Sequence, residues 1–328
     1  MRLSLTVVEG ALAALDGHPP EVTPAACVAT RYAASACRRC LDACPVGAIT
    51  PGGWLEVDSE RCVSCGACAA ACRTGALAFP ERGAALRHRT SSLLPGETVV
   101  VACAEAETDY ADLVLACLGA LSAADIVHIA CAGAGAAQLI SGACESCPRR
   151  EAVAALPEVL EEALAAVSLL GRDLRVGRSA GPSGGSRGPT SSGMSRRGFF
   201  ARLSREGARA VVSAPGAGRR SIDRIHAKVA PPQRHETLLD DVSGSHRAVP
   251  DLPLPSALPL AEVVVDASCD GCGLCVLYCP HGALTLSSGV ARAEPRSCTA
   301  CGLCAEVCPP SAVRLAPARP SLYRTPAA

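Results

Sequence analysis

Two stretches of the chain decide its fold: CDGCGLCVLYCP at residues 269–280 and CTACGLCAEVCP at residues 298–309. Each follows the pattern Cys-x-x-Cys-x-x-Cys-x-x-x-Cys-Pro. Cysteines spaced in this way present their sulfurs on the same side of a tight loop, so the first three of each stretch can bind three corners of one iron–sulfur cube. The fourth cysteine points away and serves the other cube. The two stretches therefore predict a pair of [4Fe–4S] clusters that exchange their fourth ligands.

This pattern assigns four cysteines to each cluster. Cys269, Cys272, Cys275 and Cys308 are predicted to bind one cluster, and Cys279, Cys298, Cys301 and Cys304 the other. Glycines in the loops let backbone N–H groups approach the inorganic sulfurs, and the prolines turn the chain away after the fourth ligand. Zinc knuckles would show isolated pairs of ligands rather than triplets with a remote fourth thiolate.

The two stretches resemble the bacterial dicluster ferredoxin family, and the resemblance covers residues 259–316. It implies a small α+β module that carries single electrons between protein partners.

The N-terminal segment, residues 1–90, resembles the same family with one departure. One motif is complete, with Cys62, Cys65, Cys68 and Cys72, whereas the other has Cys37, Cys40 and Cys44 but Ala34 at its leading position. Arg73 also replaces the usual proline. We expect Cys27 to substitute for Ala34, which gives the sets Cys27, Cys37, Cys40 and Cys72 for one cluster and Cys44, Cys62, Cys65 and Cys68 for the other. The alternative is a three-cysteine site with an open iron, or a [3Fe–4S] cluster, with Cys27 as a buried thiol.

Composition limits the classes of function. The 328 residues include 21 cysteines but only 2% aromatic residues, so small cores have to rely on bound metal or on short Ala, Leu and Val elements. Basic and acidic residues number 31 each, which gives no net charge that would favour nucleic acid. Residues 1–17 make a poor secretion signal, and no apolar stretch is long enough to predict a membrane span. Free thiolates in such number are typical of a reducing compartment, and we expect a cytoplasmic protein.

The chain divides into four segments, which predict an α+β protein overall. Dicluster modules at residues 1–90 and 259–316 flank a small α/β domain at residues 96–170 and a linker rich in Gly, Pro and Arg at residues 171–258. Within the linker, residues 181–192 predict disorder and the Pro-rich residues 230–258 predict extended chain. Residues 195–212 fit a basic amphipathic helix.

The middle domain contains the remaining five cysteines. Apolar runs at residues 98–102, 112–116 and 136–140 predict strands, and residues 119–125 and 151–170 predict helices, so a parallel sheet is expected. Functional loops in such folds lie at the carboxyl ends of the strands. Four of the spare cysteines, Cys103, Cys117, Cys144 and Cys147, fall there, and Cys131 does not. The segment is loosely similar to the small iron–sulfur subunit of viologen-reducing hydrogenases.

Three interpretations of these four cysteines stay open. They could bind a metal ion or a [2Fe–2S] cluster, they could be small buried apolar residues, or Cys144 and Cys147 could form a redox-active disulfide. His281, which follows Pro280, is predicted to be exposed to solvent. If it lay beside a cluster instead, its protonation would couple that cluster's potential to pH.

The sequence thus favours an electron-transfer protein that carries four [4Fe–4S] clusters between donor and acceptor oxidoreductases. The alternative is an iron–sulfur subunit of a larger oxidoreductase of the hydrogenase or reductase type, with a reactive centre in the middle domain. A third hypothesis is a scaffold that delivers clusters to another enzyme. No acid–base pair or phosphate-binding loop is legible, so catalysis by this chain alone stays an open question.

Overall fold

The computed structural model describes residues 18–50, 55–106, 108, 110–180, 227–244 and 251–323. The predicted basic helix at residues 195–212 and the low-complexity stretch at residues 181–192 lie outside them. No helix in the described part of the chain is long and apolar enough to cross a membrane.

The N-terminal module consists of short elements around a small core. Its strands are β1 (Glu21–Val22), β2 (Ile49–Thr50), β3 (Glu56–Val57) and β4 (Leu77–Ala78), and its helices are α1 (Val28–Arg31), α2 (Arg39–Asp42) and α3 (Ala67–Ala71). β1 pairs with β4 and β2 pairs with β3, both antiparallel. The apolar core between them includes cysteines among its members, because elements this short bury too little surface to be stable without further support.

The C-terminal module repeats this arrangement. Its strands are β9 (Ala261–Val265), β10 (Leu284–Ser287), β11 (Val290–Ala293) and β12 (Val313–Pro317), and its helices are α8 (Leu274–Tyr278) and α9 (Leu303–Glu306). β9 pairs with β12 and β10 pairs with β11, both antiparallel. The pair β9–β12 therefore corresponds to β1–β4 of the N-terminal module, and the pair β10–β11 corresponds to β2–β3.

A parallel sheet of four strands lies between the modules in sequence. It is formed by β5 (Thr98–Cys103), β6 (Leu113–Leu115), β7 (Ala136–Ser141) and β8 (Arg175–Ala180), in the order β6–β5–β7–β8. Three helices, α4 (Pro80–Thr90), α5 (Ala123–Cys131) and α6 (Leu156–Leu169), contribute to the same apolar core. Ser122 and Asp125 form a capping box that fixes the start of α5.

Two features of this region differ from the sequence predictions. The helix predicted at residues 119–125 is a 3-10 turn, Leu118–Ala120, followed by α5. The strand β8 lies beyond residue 170, in the segment assigned to the linker, and pairs along its length with β7. Its sequence, RVGRSA, gives little apolar signal because it forms an edge of the sheet and is largely exposed.

The Pro-rich segment at residues 230–258 is only partly extended. Helix α7 (Gln233–Ser243) begins directly after Pro232 and buries His235, Leu238, Leu239 and Val242. These positions repeat at intervals of three and four residues, which is the period of one helix face, and that face packs on α5. Leu254 and Leu258 join the same core. The prediction of an extended linker was therefore wrong for α7. The two prolines before the helix suggested extended chain, although the apolar residues that follow them have helical spacing.

Candidate metal centres

Eight cysteines of the C-terminal module form two groups of four. Site 1 consists of Cys269, Cys272, Cys275 and Cys308, and site 2 of Cys279, Cys298, Cys301 and Cys304. Burial raises the pKa of Cys275, and the charges of the other three thiols of site 1 add to that rise. Burial and the other three thiols of site 2 act on Cys304 in the same way. The structure thus brings together the two sets that the spacing predicts.

Eight cysteines of the N-terminal module line two cavities. Cys27, Cys37, Cys40 and Cys72 surround one cavity and form site 3. Cys44, Cys62, Cys65 and Cys68 surround a second cavity of about 320 Å³ and form site 4. Each motif therefore contributes its fourth cysteine to the other site, as it does in the C-terminal module.

The loops share one backbone conformation in three of the four motifs. The residue after the second cysteine is Gly66, Gly273 or Gly302, with φ of 86°, 75° and 88°. A left-handed glycine at this point turns the chain sharply before the short helix that carries the third cysteine. The motif with Ala34 at its leading position has Arg38 here, which is the residue before α2 and has a φ of −125° instead.

The same irregular motif takes its remaining thiol from Cys27. Strand β1 pairs with β4, and Thr23 N donates a 2.8 Å hydrogen bond to the carbonyl oxygen of Ala76, which holds the segment before Cys27 against the module. Cys27 then lies between a 3-10 turn and α1 and lines the site 3 cavity, whereas Ala34 is exposed. The segment around Cys27 therefore brings a thiol to the site 3 cavity, whereas position 34 has none.

The two modules match a known family. A model of the 4Fe-4S dicluster domain matches residues 35–76 and 268–313. The chain contains two 4Fe-4S dicluster domains. A stretch of 77 residues, 23% of this chain, is 40% identical to an uncharacterized ferredoxin of Methanocaldococcus jannaschii, and the match spans 49%, about half, of that relative. No solved structure matches the chain.

Ferredoxin-type domains point to iron–sulfur electron transfer and to redox proteins as partners. Cys27 lies outside both matched ranges, so its place at site 3 comes from the geometry alone. Four thiols around one cavity are the donor set that a [4Fe–4S] cluster requires, with one thiolate for each iron. Among the described residues, no three His, Cys, Asp or Glu side chains are placed to hold a single metal ion.

Backbone N–H groups contact the crossed-over thiols of both dicluster domains. Ala48 N donates to Cys44 Sγ at 3.2 Å, and Ala283 N donates to Cys279 Sγ at 3.3 Å. These are equivalent positions in the two domains. Hydrogen bonds of this kind stabilise a thiolate ligand and contribute to the potential of a bound cluster.

Burial makes the metal-free thiols weak acids. It raises the pKa of both Cys40 and Cys301 to about 12, and neighbouring thiols add to the rise at each residue. Because a metal ion would bind the thiolate form, metal binding at either residue would release a proton.

The four sites form a series, here called the line of sites, in which each adjoins the next. Cys275 of site 1 acts on the pKa of Cys304 of site 2, and Cys40 of site 3 acts on that of Cys68 of site 4. Between the domains, Cys301 of site 2 lines the cavity of site 3. The order is thus site 1, site 2, site 3 and site 4, and neighbouring sites are in close proximity at each step.

Cationic side chains occupy the contact between sites 2 and 3. Arg31 is only 2% exposed and donates to carbonyl oxygens of α8, at 2.8 Å from Tyr278 O and 3.2 Å from Leu277 O. Arg73 donates to Ala300 O at 3.3 Å, and burial lowers the pKa of its guanidinium to about 10. Lys228 donates to three carbonyl oxygens at the end of α8, at 2.8 to 2.9 Å. Sequence reasoning missed Arg31 and Lys228, because their partners are backbone atoms far away in the chain.

The four middle cysteines also meet around one cavity. Cys103, Cys117, Cys144 and Cys147 line a space of about 340 Å³ at the carboxyl ends of β5, β6 and β7. Cys131 lies elsewhere, at the end of α5, where burial raises its pKa to about 12.

His281 is buried, at 8% exposure, which contradicts the expectation that it faces solvent. Its Nδ1 lies 2.9 Å from the carbonyl oxygen of Val229, and burial lowers its pKa. The covering segment, residues 227–229, comes from a distant part of the chain and could not be anticipated from the local sequence.

Proposed function

We propose that this protein is an electron-transfer protein that binds four [4Fe–4S] clusters, one at each of sites 1 to 4, and passes single electrons between protein redox partners. A bound [4Fe–4S] cluster takes up and releases one electron, at a potential set by its ligands, hydrogen bonds and exposure. The number of free thiols is consistent with work in a reducing compartment such as the cytoplasm.

The observation that carries this proposal is the unbroken order of the sites. Cys301 of one dicluster domain lines the cavity formed by Cys27, Cys37, Cys40 and Cys72 of the other. Two independent carriers on one chain would have no need of this contact. Adjoining sites supply a route through the protein, with partners expected at its two ends.

Site 1 is the more accessible end of the line. Cys272 is exposed, and Asp270 within the same loop is hydrogen-bonded to the backbone N–H of Cys272, at 3.1 Å. An exposed ligand loop brings an incoming partner close to the metal. We therefore assign the docking of one redox partner to this loop.

The proposal is tested by counting metal and spins on anaerobically purified protein. Four clusters correspond to about 16 iron atoms and about 16 sulfides in sites 1 to 4. Reductive titration followed by EPR should show magnetic coupling between reduced centres in neighbouring sites. About 8 iron atoms, or uncoupled signals only, would contradict the four-site line.

The alternative function, a subunit of a larger oxidoreductase complex, is favoured by a specific observation. The middle cysteine group lies next to site 4, so the line of sites continues into a domain that carries no dicluster motif. Co-purification of a partner enzyme from the native source, with electron transfer only in the complex, would select this function.

A further inference from the structure

The middle cysteine group is built like a cluster site. Cys103 is the last residue of β5, Cys117 follows β6, and Cys144 and Cys147 follow β7. The carboxyl ends of parallel strands lie at one edge of a sheet, so three separate loops bring the four thiols to one place. Cys103 and Cys117 are each only 7% exposed, whereas Cys144 and Cys147 are half-buried.

Backbone amides point at three of these four sulfurs. Gly142 N donates to Cys103 Sγ at 3.1 Å, Gly119 N to Cys117 Sγ at 3.4 Å, and Arg149 N to Cys147 Sγ at 3.4 Å. The same contact occurs at Cys44 and Cys279 of the dicluster domains. Buried thiols that serve only to fill a core have no need of such donors, whereas thiolate ligands do.

Two glycines allow the loops to close around the cavity. A Cβ at Gly142 would lie 2.1 Å from the carbonyl oxygen of Glu105, and one at Gly119 would lie 2.0 Å from that of Ala152. Any larger residue at either position would push apart the loops that carry Cys103, Cys117 and Cys144. The four thiols can therefore meet around one cavity only because Gly119 and Gly142 let these loops approach closely.

The cavity is similar in size to one of the dicluster sites. Its volume is about 340 Å³, compared with about 320 Å³ at site 4 and about 600 Å³ at site 3. Arg149, Arg150 and Glu105 line it, so its lining carries a net positive charge that would partly balance four thiolates.

The group also adjoins site 4 directly. Cys65 of site 4 packs in one apolar cluster with Cys117 and Ala152. Arg149 bridges the two regions, because its Nε donates to Val63 O at 2.9 Å while its other guanidinium nitrogen contacts Glu105 at 2.9 Å. The loop of Gly66 is similarly close to the middle domain, since a Cβ there would lie 2.8 Å from that of Ala120.

From this geometry we infer that Cys103, Cys117, Cys144 and Cys147 bind a fifth [4Fe–4S] cluster, which extends the line of sites beyond site 4 into the middle domain. The inference deepens the proposed function. The role of the fifth cluster in electron transfer rests on that proposed function, whereas the cluster site itself does not.

The test compares the full chain with its Cys103→Ser/Cys144→Ser variant, both loaded anaerobically with iron and sulfide. The wild type should contain about 20 iron atoms and the double variant about 16. The difference between the two proteins tests the fifth site, and the iron content of the variant tests the other four. The matched control is Cys131→Ser, which removes a half-buried thiol outside all five groups and should leave about 20 iron atoms.

Other results would overturn the inference in distinct ways. A difference of about 2 iron atoms would mean a [2Fe–2S] cluster, and one zinc per chain in place of iron would mean a mononuclear site. Equal iron contents, with Cys144 and Cys147 forming a disulfide on oxidation, would mean a redox thiol pair. Because the double variant could misfold, the single Cys144→Ser variant serves as a second measurement, and it should show an EPR signal of a three-iron cluster that the wild type lacks.

Discussion

The Nε of Arg31 donates a 2.8 Å hydrogen bond to the carbonyl oxygen of Tyr278, and this bond joins the N-terminal dicluster domain to the end of helix α8 in the C-terminal one. The same side chain donates to Ala25 O at 3.0 Å and to Ala227 O at 2.9 Å. One buried guanidinium therefore ties three chain segments together beside sites 2 and 3. Because Arg31 is only 2% exposed, its removal would take a buried donor away from these carbonyl oxygens.

Arg31→Met should destabilise the protein by about 3 kcal/mol, because it leaves several buried carbonyl groups without a donor. Arg31→Lys should recover part of this loss, since an ammonium group keeps the charge and some of the bonds. The measurement is anaerobic denaturant unfolding of the cluster-loaded protein. Arg38→Gln is the control, because Arg38 is exposed and its contact with Asp42 is a surface ion pair. Equal unfolding midpoints for Arg31→Met and the control would exclude a structural role for Arg31.

Cys27→Ser should affect site 3 alone. Loss of one thiolate is expected to convert its cluster to a three-iron form or to remove it, with a decrease of about 1 to 4 iron atoms per chain. Ala34→Ser is the matched control, because position 34 is the ordinary ligand position of the motif but is exposed in this chain. An unchanged EPR spectrum for Cys27→Ser would leave site 3 with three cysteines, the alternative that the sequence keeps open.

The grouping of the sixteen dicluster cysteines could be predicted from the sequence because the spacing that determines it is local. Spacing of three residues fixes which thiols share a loop, and the crossed fourth cysteine follows from the repeat. A substitute for the missing cysteine at position 34 could also be proposed from the sequence, because Cys27 is the nearest unassigned cysteine. The grouping of Cys103 with Cys117, Cys144 and Cys147 followed from the rule that parallel strands end at one edge of a sheet.

What could not be predicted depends on contacts between distant segments. Helix α7 buries Leu238 and Leu239 against α5, and nothing in the Pro-rich stretch around it reports this partner. His281 is buried only because residues 227–229 cover it. The order of the sites has the same origin, since the approach of Cys301 to site 3 depends on packing between two domains.

Arg73→Gln should lower the reduction potentials of sites 2 and 3. Arg73 lines the cavity of site 3, and Cys301 and Cys298 of site 2 lie within its electrostatic influence. Burial lowers the pKa of Arg73 to about 10, so it is still charged at pH 7 and favours the more negative, reduced state of a nearby cluster. A decrease on the order of 50 mV is expected, close to a tenfold change in a one-electron equilibrium. Potentiometric EPR titration measures it.

Arg73→Lys and Arg38→Gln are the controls for this potential shift. Lysine keeps the charge and should restore most of the wild-type potentials, whereas Arg38→Gln removes an exposed charge that solvent screens. If the reduction potentials of Arg73→Lys fall as far as those of Arg73→Gln, the shift comes from lost packing and not from lost charge.

His235→Gln should remove part of the loss of stability in acid. Burial lowers the pKa of His235 to about 4, the nearby charges of His281, Arg234 and Arg296 add to this decrease, and Nε2 lies 2.9 Å from Arg296 O. The unfolded chain binds the proton near pH 6.5 while the folded chain does not, so stability falls as pH drops from 6.5 towards 4. By pH 5.5 the loss is about 1.4 kcal/mol relative to pH 7.5. Glutamine can donate to the same carbonyl but does not titrate. The difference in unfolding free energy between pH 7.5 and pH 5.5 should therefore be about 1.4 kcal/mol smaller in the variant than in the wild type. Identical pH slopes for the two proteins would mean that folding does not lower the pKa of His235.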